Sequence, residues 1–356
     1  MPLRPRVSMG VEVEFFAICM PGYTITRRIV QPHELIAERG ERFTVDQSIG
    51  TEYDSMVFYT VREALFLLKS GLRKFFLKRY LYSRQAKIES VAFLGGWKDR
   101  FAGTHFHIAF GPSGIPKKQA DKLAEHIHDH IPFLIALCAN SPVWRRKLTK
   151  YASNRFLLGS EEYCCVTKRG DLDRYHYDEI NYNKGGRKPP TLELRVCDSN
   201  IPEYLAATLV VLKAIAQACI KGRRISNICR HENYLIAREN AAREGVKATL
   251  FWNNKKLSVP KYLDLIFKYY QKEIETMDVP DELLDVFKLL KLGFNGAEIV
   301  RRSCRSLRRS HLRGWERRFG KKYASAIEEL LDGHTLRVFA GELGVRLPVT
   351  DKVKLG

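Results

Sequence analysis

Apolar and polar side chains alternate along VSMGVEVEFFAICM near the N-terminus. Val11, Val13 and Phe15 fall on one side of an extended chain, and Glu12, Glu14 and Phe16 on the other, the period of a half-buried strand. FTVDQSIGTEYDSMVFYT is a second strand-rich stretch, with Asp46, Ser48 and Gly50 supplying turn chemistry. The period then turns helical in VREALFLLKSGLRKFFLKRYLYS, where Ala64, Leu65, Leu68, Leu72 and Phe76 share a side. GTHFHIAFG alternates again and ends at Gly-Pro. Residues 117–137 predict a helix in which Pro132 marks a kink or a restart. TLELRVCDSN is another alternating strand, and IPEYLAATLVVLKAIAQACIKG a long apolar helix from near Pro202 to Gly222. Beyond Arg230 the pattern is helical almost throughout. There is no internal repeat and no low-complexity linker. The expected organisation is an α+β body over residues 1–225 and an α-helical, basic region over 226–356 packed on it.

Composition narrows the class. A chain of 356 residues, 45% apolar and 28% charged, can bury a large core. No apolar run reaches the roughly 18 residues of a membrane span. The first residues lack the apolar segment and cleavage site of a signal peptide, so a cytoplasmic chain without membrane contact is expected. Eight cysteines without a C-x-x-C pair argue against a zinc ribbon or a disulfide framework and predict mostly small buried hydrophobes.

Charge adds a separate question. The formal net charge is +20, and residues 301–322 carry ten Lys and Arg against the single acid Glu316. The stripe from Arg301 to Lys322 is either a solvated helical face or an attractor for an acidic partner, a nucleotide or a nucleic acid.

Three pairs of polar residues carry candidate chemistry, each spaced two apart on a predicted strand. Glu12 and Glu14 project from one face, where two like charges are costly without a cation; Mg2+ or Mn2+ would suit their oxygens. His105 and His107 repeat that geometry, with Phe106 and Ile108 opposite, and neutral imidazole can ligate a metal or contact a phosphate. Glu193 and Arg195 form the third pair, and a guanidinium beside a metal-bound carboxylate suits a substrate carboxylate or a transferring phosphoryl group. Taken singly, each pair is more often an ordinary surface feature or ion pair. Together they predict one sheet surface that binds metal and phosphate. His126, His128 and His130, on a predicted helix, are expected to be partly exposed, and Gly95-Gly96 to form a turn.

At this point a family resemblance emerges. GVEVEFF resembles the opening G-I-E-x-E-F of the glutamate–cysteine ligase type 2 family, and GTHFHIAFG resembles its G-x-H-V-H-V strand. LCANSPVWRRKLTKYASNR, TLELRVCDSN and HENYLIARENAAREGVKATLF are similar to three further family segments, in the same order, from about Gly10 to Leu250. VDQSIGTEYDS also resembles a stretch of the related amidoligases. The resemblance implies the glutamine-synthetase-like fold, a curved antiparallel sheet with helices on one side. It further implies an ATP-dependent carboxylate–amine ligase working through an acyl phosphate, with ATP and Mg2+ (or Mn2+) as cofactors and a small acid and amine as substrates.

By position, the resemblance implies metal ligation by Glu12, Glu14, His105 and Glu193, with Glu52 a fourth carboxylate or a group that orients or deprotonates the amine. His107 is implied at ATP, Arg195 at the acyl phosphate or substrate carboxylate, and Arg155 at an anion. Val13 stands where many relatives carry a third acid, and the segment between Ala17 and Asp46 lacks the usual glutamate-recognition features. Two other readings remain at this stage: a metal-dependent amide or isopeptide hydrolase on the same scaffold, and a nucleic-acid-binding protein with a degenerate ligase fold. The oligomeric state, a homo-oligomer included, is left open.

Overall fold

The computed structural model describes residues 6–27, 41–46, 49–86, 88–171, 177–184, 188–311 and 313–356. Gln47 and Ser48 of the amidoligase-like stretch lie outside them. Up to residue 110 the chain is mostly strand: β1 (Val7–Cys19), β2 (Thr24–Thr26), β3 (Arg42–Asp46) and β4 (Gly50–Asp54) precede helix α1 (Val61–Ala86). After α1 come β5 (Ile88–Ala92), β6 (Gly96–Trp97), β7 (Arg100–Phe101) and β8 (Gly103–Phe110). Helices α2 (Lys117–His128) and α3 (Ile131–Cys138) follow, then the hairpin β9 (Val143–Trp144) and β10 (Lys147–Leu148). Helices α4 (Asn154–Leu158) and α5 (Ser160–Tyr163) lead to β11 (Ile180–Asn183), β12 (Thr191–Asp198) and α6 (Pro202–Ile220). The remainder holds α7 (His231–Glu244), the hairpin β13 (Thr249–Trp252) and β14 (Lys255–Ser258), and helices α8 (Val259–Tyr269) and α9 (Gln271–Glu275). Last come α10 (Asp281–Lys291), α11 (Gly296–Ser310), α12 (Trp315–Leu331) and α13 (Leu336–Glu342).

The fold is α+β, built on an open antiparallel sheet in the order β11-β12-β8-β1-β4-β3. Strand β1 is long because it serves four ladders. Val7–Val13 pair with β8 and Glu12–Phe15 with β4, while Phe16–Cys19 pair with β5 and Ala17–Cys19 with β2. Alternation then sorts the side chains. Val11, Val13 and Phe15 on β1, Phe106 and Ile108 on β8, and Leu192 and Leu194 on β12 are all buried. They meet a layer that includes α2, α3 and α6. Burying seven such side chains contributes roughly 1.5–3 kcal/mol each toward fixing the register.

Helix α6 explains itself locally. Pro202 occupies its first turn, where a missing N–H costs nothing, and Glu203 sits at the positive end of the dipole. The Glu203 carboxylate lies 2.7 Å from Lys69 of α1. By length and composition the helix could cross a membrane, yet 89% of its apolar window is buried inside the protein. It is a core helix.

Three sequence expectations are revised. The chain beyond Arg230 is interrupted by the β13–β14 hairpin, whose Asn253 and Asn254 take positive φ at the turn. Gly96 opens a short strand rather than belonging only to a turn. His126, His128 and His130 are buried at 2%, 3% and 0% exposure, not partly exposed. The reason is Asp129 and His130, which break the helix between α2 and α3 and are then covered by later elements. His128 bonds to Asp129 and the Thr167 carbonyl, and His130 to Tyr262 and Ser226. All eight cysteines are free thiols, five of them buried. One contiguous apolar core runs from Val7 to Leu347, across residue 225.

Candidate functional site

The opposite face of the sheet carries the polar side chains. Register brings them together across four strands: Glu14 of β1 lies opposite Glu52 of β4, Glu12 opposite Asp54 of β4 and His105 of β8, and His107 opposite Glu193 of β12. Neighbouring strands are about 4.8 Å apart, so residues up to 181 positions distant in sequence share one patch. Like charges directly opposite one another destabilise a sheet unless something compensates them.

Within the patch, Glu12 lies 3.5 Å from His105 Nδ1 and 3.2 Å from His107 Nε2. Glu193 stands 3.6 Å from His105 and receives a 2.6 Å hydrogen bond from Arg195. Glu14 is 3.8 Å from His105 Nε2, and its other oxygen accepts the Gly103 N–H. Ser199 donates to the Glu14 main-chain carbonyl, fixing that strand from the end of β12. Glu52 accepts from Thr44 at 3.3 Å. Two trios, Glu12–His107–Glu193 and Glu12–Glu52–His105, each have donor atoms all within 4.8 Å of one another and can share a cation.

Burial here is unusual for charged groups: Glu14, His105, Glu193 and Arg195 are all below a tenth exposed. Burial opposes ionisation of Glu12, but hydrogen bonds to His105 and His107 and their positive charge outweigh it and hold this carboxyl well below the usual range. Burial likewise opposes Glu193, and His105, His107 and Arg195 pull it down. For His107 the desolvation penalty is exceeded by Glu12 and Glu193, which raise its pKa. His105 Nε2 is buried with no hydrogen-bond partner among the described residues. An unpartnered imidazole nitrogen among carboxylates is the donor set a divalent cation fits.

The patch opens at the Glu12 end into a cavity of about 540 Å3, lined among others by Gly10, Glu12, Asp54, His107, Lys188 and Thr191. That volume is in the range of small-molecule sites. His107 Nδ1 is 2.8 Å from Thr191 Oγ1, an anchor that turns its Nε2 toward Glu12. Thus Glu12, Glu14, Glu52, His105, His107, Glu193 and Arg195 converge. Arg155 does not join them: its guanidinium donates to the Arg195 carbonyl at 3.2 and 3.3 Å and lies beside Asp198. Helix α4 delivers it to the end of β8, where it is buried and where a Cβ on Gly103, two residues before His105, would come 2.6 Å from its Nη2.

No protein-family model matches the chain, and no curated protein matches it by sequence. Solved structures do. The complex of the prokaryotic ubiquitin-like protein Pup with its ligase PafA superposes with a TM-score of 0.58 at 14% identity, over 96% of this chain and 80% of that one. A bifunctional glutathione synthetase from Pasteurella multocida gives 0.58 at 12% identity, covering 95% of this chain and 55% of its own. A glutamate–cysteine ligase from Francisella tularensis, in complex with AMP, gives 0.52 at 13% over 96% and 92%. The chain has the fold of carboxylate–amine ligases.

On this ligase fold, several site residues escaped the sequence reading. Asp54, two positions after Glu52 in TEYD, sits at the cavity wall and pairs with Arg42 at 3.3 Å and Lys188 at 3.1 Å. Lys188 is also 3.7 Å from Glu12. The period-two rule that singled out Glu12 and Glu14 applies equally to Glu52 and Asp54 and could have found the latter. Lys188 lies in a loop ahead of β12, where no periodicity speaks.

Proposed function

We propose that the chain is an ATP- and Mg2+-dependent carboxylate–amine ligase. The observation that carries this reading is the buried and half-buried patch of four glutamates, two histidines and an arginine at the rim of a nucleotide-sized cavity. Nucleotides bound to two structures of the same fold, AMP in the glutamate–cysteine ligase and ADP in a Pup ligase, support it. In this reading the cavity lined by Gly10, Asp54 and Lys188 takes ATP, and His107 contacts its phosphates.

Glu12, Glu14, His105 and Glu193 hold the divalent cation, with Glu52 and His107 within reach of it. When bound, the cation neutralises phosphate charge that the acids would otherwise repel. Arg195, fixed by Glu193, orients the acid substrate and balances charge on the transferring phosphoryl group. A carboxylate oxygen of the acid attacks the γ-phosphorus, the bond to the bridging oxygen breaks, and ADP leaves. The amine nitrogen then attacks the acyl carbon, phosphate departs, and Glu52 accepts the nitrogen's proton. Arg155 holds the Arg195 main chain through its carbonyl and is a positioning residue.

Incubation with ATP, Mg2+ and pooled acids and amines tests this. ADP and phosphate must appear only when both an acid and an amine are present. Amide cleavage without ATP turnover would replace the ligase by a hydrolase, and no turnover with retained salt-sensitive RNA binding would favour the nucleic-acid reading.

A further inference from the structure

Strand β1 continues past Glu14 on the same face to Phe16, about 7 Å further along. There a second pocket begins, of about 630 Å3, with Phe16, Arg27, Lys98, Arg100, Arg145 and Arg146 in its wall and Asp99 as the single acid. The carboxylate patch therefore lies between two cavities, one reached at Glu12 and one at Phe16. If the first takes the nucleotide, the second is where the acid substrate waits.

Its cations are presented in a particular way. Lys98 stands at the tip of the β6–β7 hairpin, and Arg145 and Arg146 form the whole two-residue loop of the β9–β10 hairpin, at φ values of 46°, 47° and 60°. The Arg145 N–H bonds to the Lys98 carbonyl at 2.6 Å, so the two tips are one unit. A two-residue hairpin loop with positive φ at both positions favours Asn and Gly. Two arginines are kept there against the backbone's preference, as happens where function sets the residue. Arg146 reaches Glu316 only at 3.7 Å, and Arg100 and Arg145 have no ion-pair partner among the described residues.

The positive surface does not stop at the pocket. Trp315 and Phe319 of α12 pack on Trp97 of β6 with ring centroids 6.0 and 5.5 Å away, and Arg317 donates to the Pro21 carbonyl. Gly320 lets α12 touch the β1–β2 turn, where any Cβ would overlap the Tyr23 carbonyl. Helix α11 meets β10, with Arg301 bonded to the Tyr151 carbonyl at 2.7 Å. On these two helices and the turn between them, Arg305, Arg308, Arg309, Arg313, Arg317 and Arg318 are exposed.

A small amino acid could set its ammonium against Asp99 but would leave the helical arginines unused. A nucleic acid would find the charge, but Phe16 and Trp97 are buried and offer no face on which bases stack, and it brings no carboxylate. We propose that the acid substrate is an acidic polypeptide segment. It lies along α11 and α12, enters the pocket beside the joined hairpin tips, and delivers a side-chain or C-terminal carboxylate to the Glu14 end of the patch. This rests on the ligase reading above, and the chemistry balances in the same way. The peptide carboxylate takes the γ-phosphoryl group with release of ADP, and an amine then displaces phosphate and loses a proton.

The test uses the full chain and a fluorescein-labelled decaglutamate peptide, with decaglutamine and a ten-nucleotide oligouridine as controls. Binding is read by anisotropy without ATP. Acyl transfer is read as ATP-dependent peptide hydroxamate, with hydroxylamine as the amine. Decaglutamate should bind in a salt-sensitive manner and form hydroxamate. Arg145→Asn/Arg146→Gly, which gives the loop the residues it prefers while removing both charges, should weaken binding at least tenfold. Arg308→Gln/Arg309→Gln, far from the pocket, should weaken it severalfold. Hydroxamate from free glutamate or other small acids but none from the peptide would overturn the polypeptide proposal and leave the ligase reading standing. Absence of hydroxamate from every acid would remove the ligase reading itself. Unchanged peptide affinity in the loop variant, or tighter binding of oligouridine through the same residues, would also overturn the proposal.

Discussion

Two buried clusters in this molecule combine histidines with acids, and they differ in one respect. At the α2–α3 junction, both nitrogens of His128 and of His130 have protein partners, and the Asp129 oxygens are taken by His128, the Cys229 N–H and Arg169. On the sheet, His105 Nε2 has no hydrogen-bond partner among the described residues, and four carboxylates crowd beside it at the edge of a cavity. A closed network of hydrogen bonds pins elements together. An incomplete one, open to a cavity, asks for a ligand. Burial and residue type alone would not have told these clusters apart.

Removing one member from each cluster should give opposite results. Glu193→Ala takes away a carboxylate that His105 and Arg195 both face, and ATP turnover should fall by roughly 10²–10³-fold or more, with the unfolding transition little changed. Retained turnover in a steady-state ADP assay would remove Glu193 from the site. His130→Ala should leave turnover per folded molecule intact. It strands Ser226 and Tyr262 in the core, so stability should drop by about 3 kcal/mol in urea unfolding.

Acid should separate the clusters further. Burial, reinforced by nearby His126, lowers the His130 pKa to about 3 from an ordinary 6.5. The unfolded chain takes up that proton first, so stability is complete above pH 6.5 and is lost as pH falls toward 3. By pH 4.5 the loss from this residue is roughly 2–3 kcal/mol. Comparing the pH dependence of unfolding midpoints for the parent and His130→Gln checks it, since the variant should show the shallower slope. The smallest effect is expected at His107, which belongs to the sheet cluster but lines the cavity. His107→Ala should raise the KM for ATP about tenfold, near 1.4 kcal/mol, with less change in the metal requirement. An unaltered KM would assign His107 to the cation alone.

Much of the sheet site was legible in the sequence because strands encode geometry simply. With a period of two, Glu12 and Glu14, His105 and His107, and Glu193 and Arg195 had to face together in pairs. What alternation could not say was which strands are neighbours, nor that Lys188, in a loop without periodicity, would meet Asp54 in the cavity wall. Arg155 was singled out by the match of YASNR, and nothing in that segment could say that its guanidinium would bond to the Arg195 carbonyl. The histidines of AEHIHDHIP were misjudged because a helical wheel knows nothing of the break at Asp129. The basic stripe was visible as composition, whereas its junction with the two hairpin tips depends on contacts between segments some 170 residues apart.

The length of β1 has a consequence for how the chain can vary. Because its thirteen residues are gripped by four other strands, a single insertion or deletion between Gly10 and Phe15 cannot be absorbed at a free end. It would rotate the downstream acids onto the helix layer and send Val13 outward. Point changes in this stretch should be graded in their severity, whereas frameshifts of even one position within the strand should be all-or-none. A deletion scan of β1 would then read as a sharp window of intolerance centred on the carboxylates.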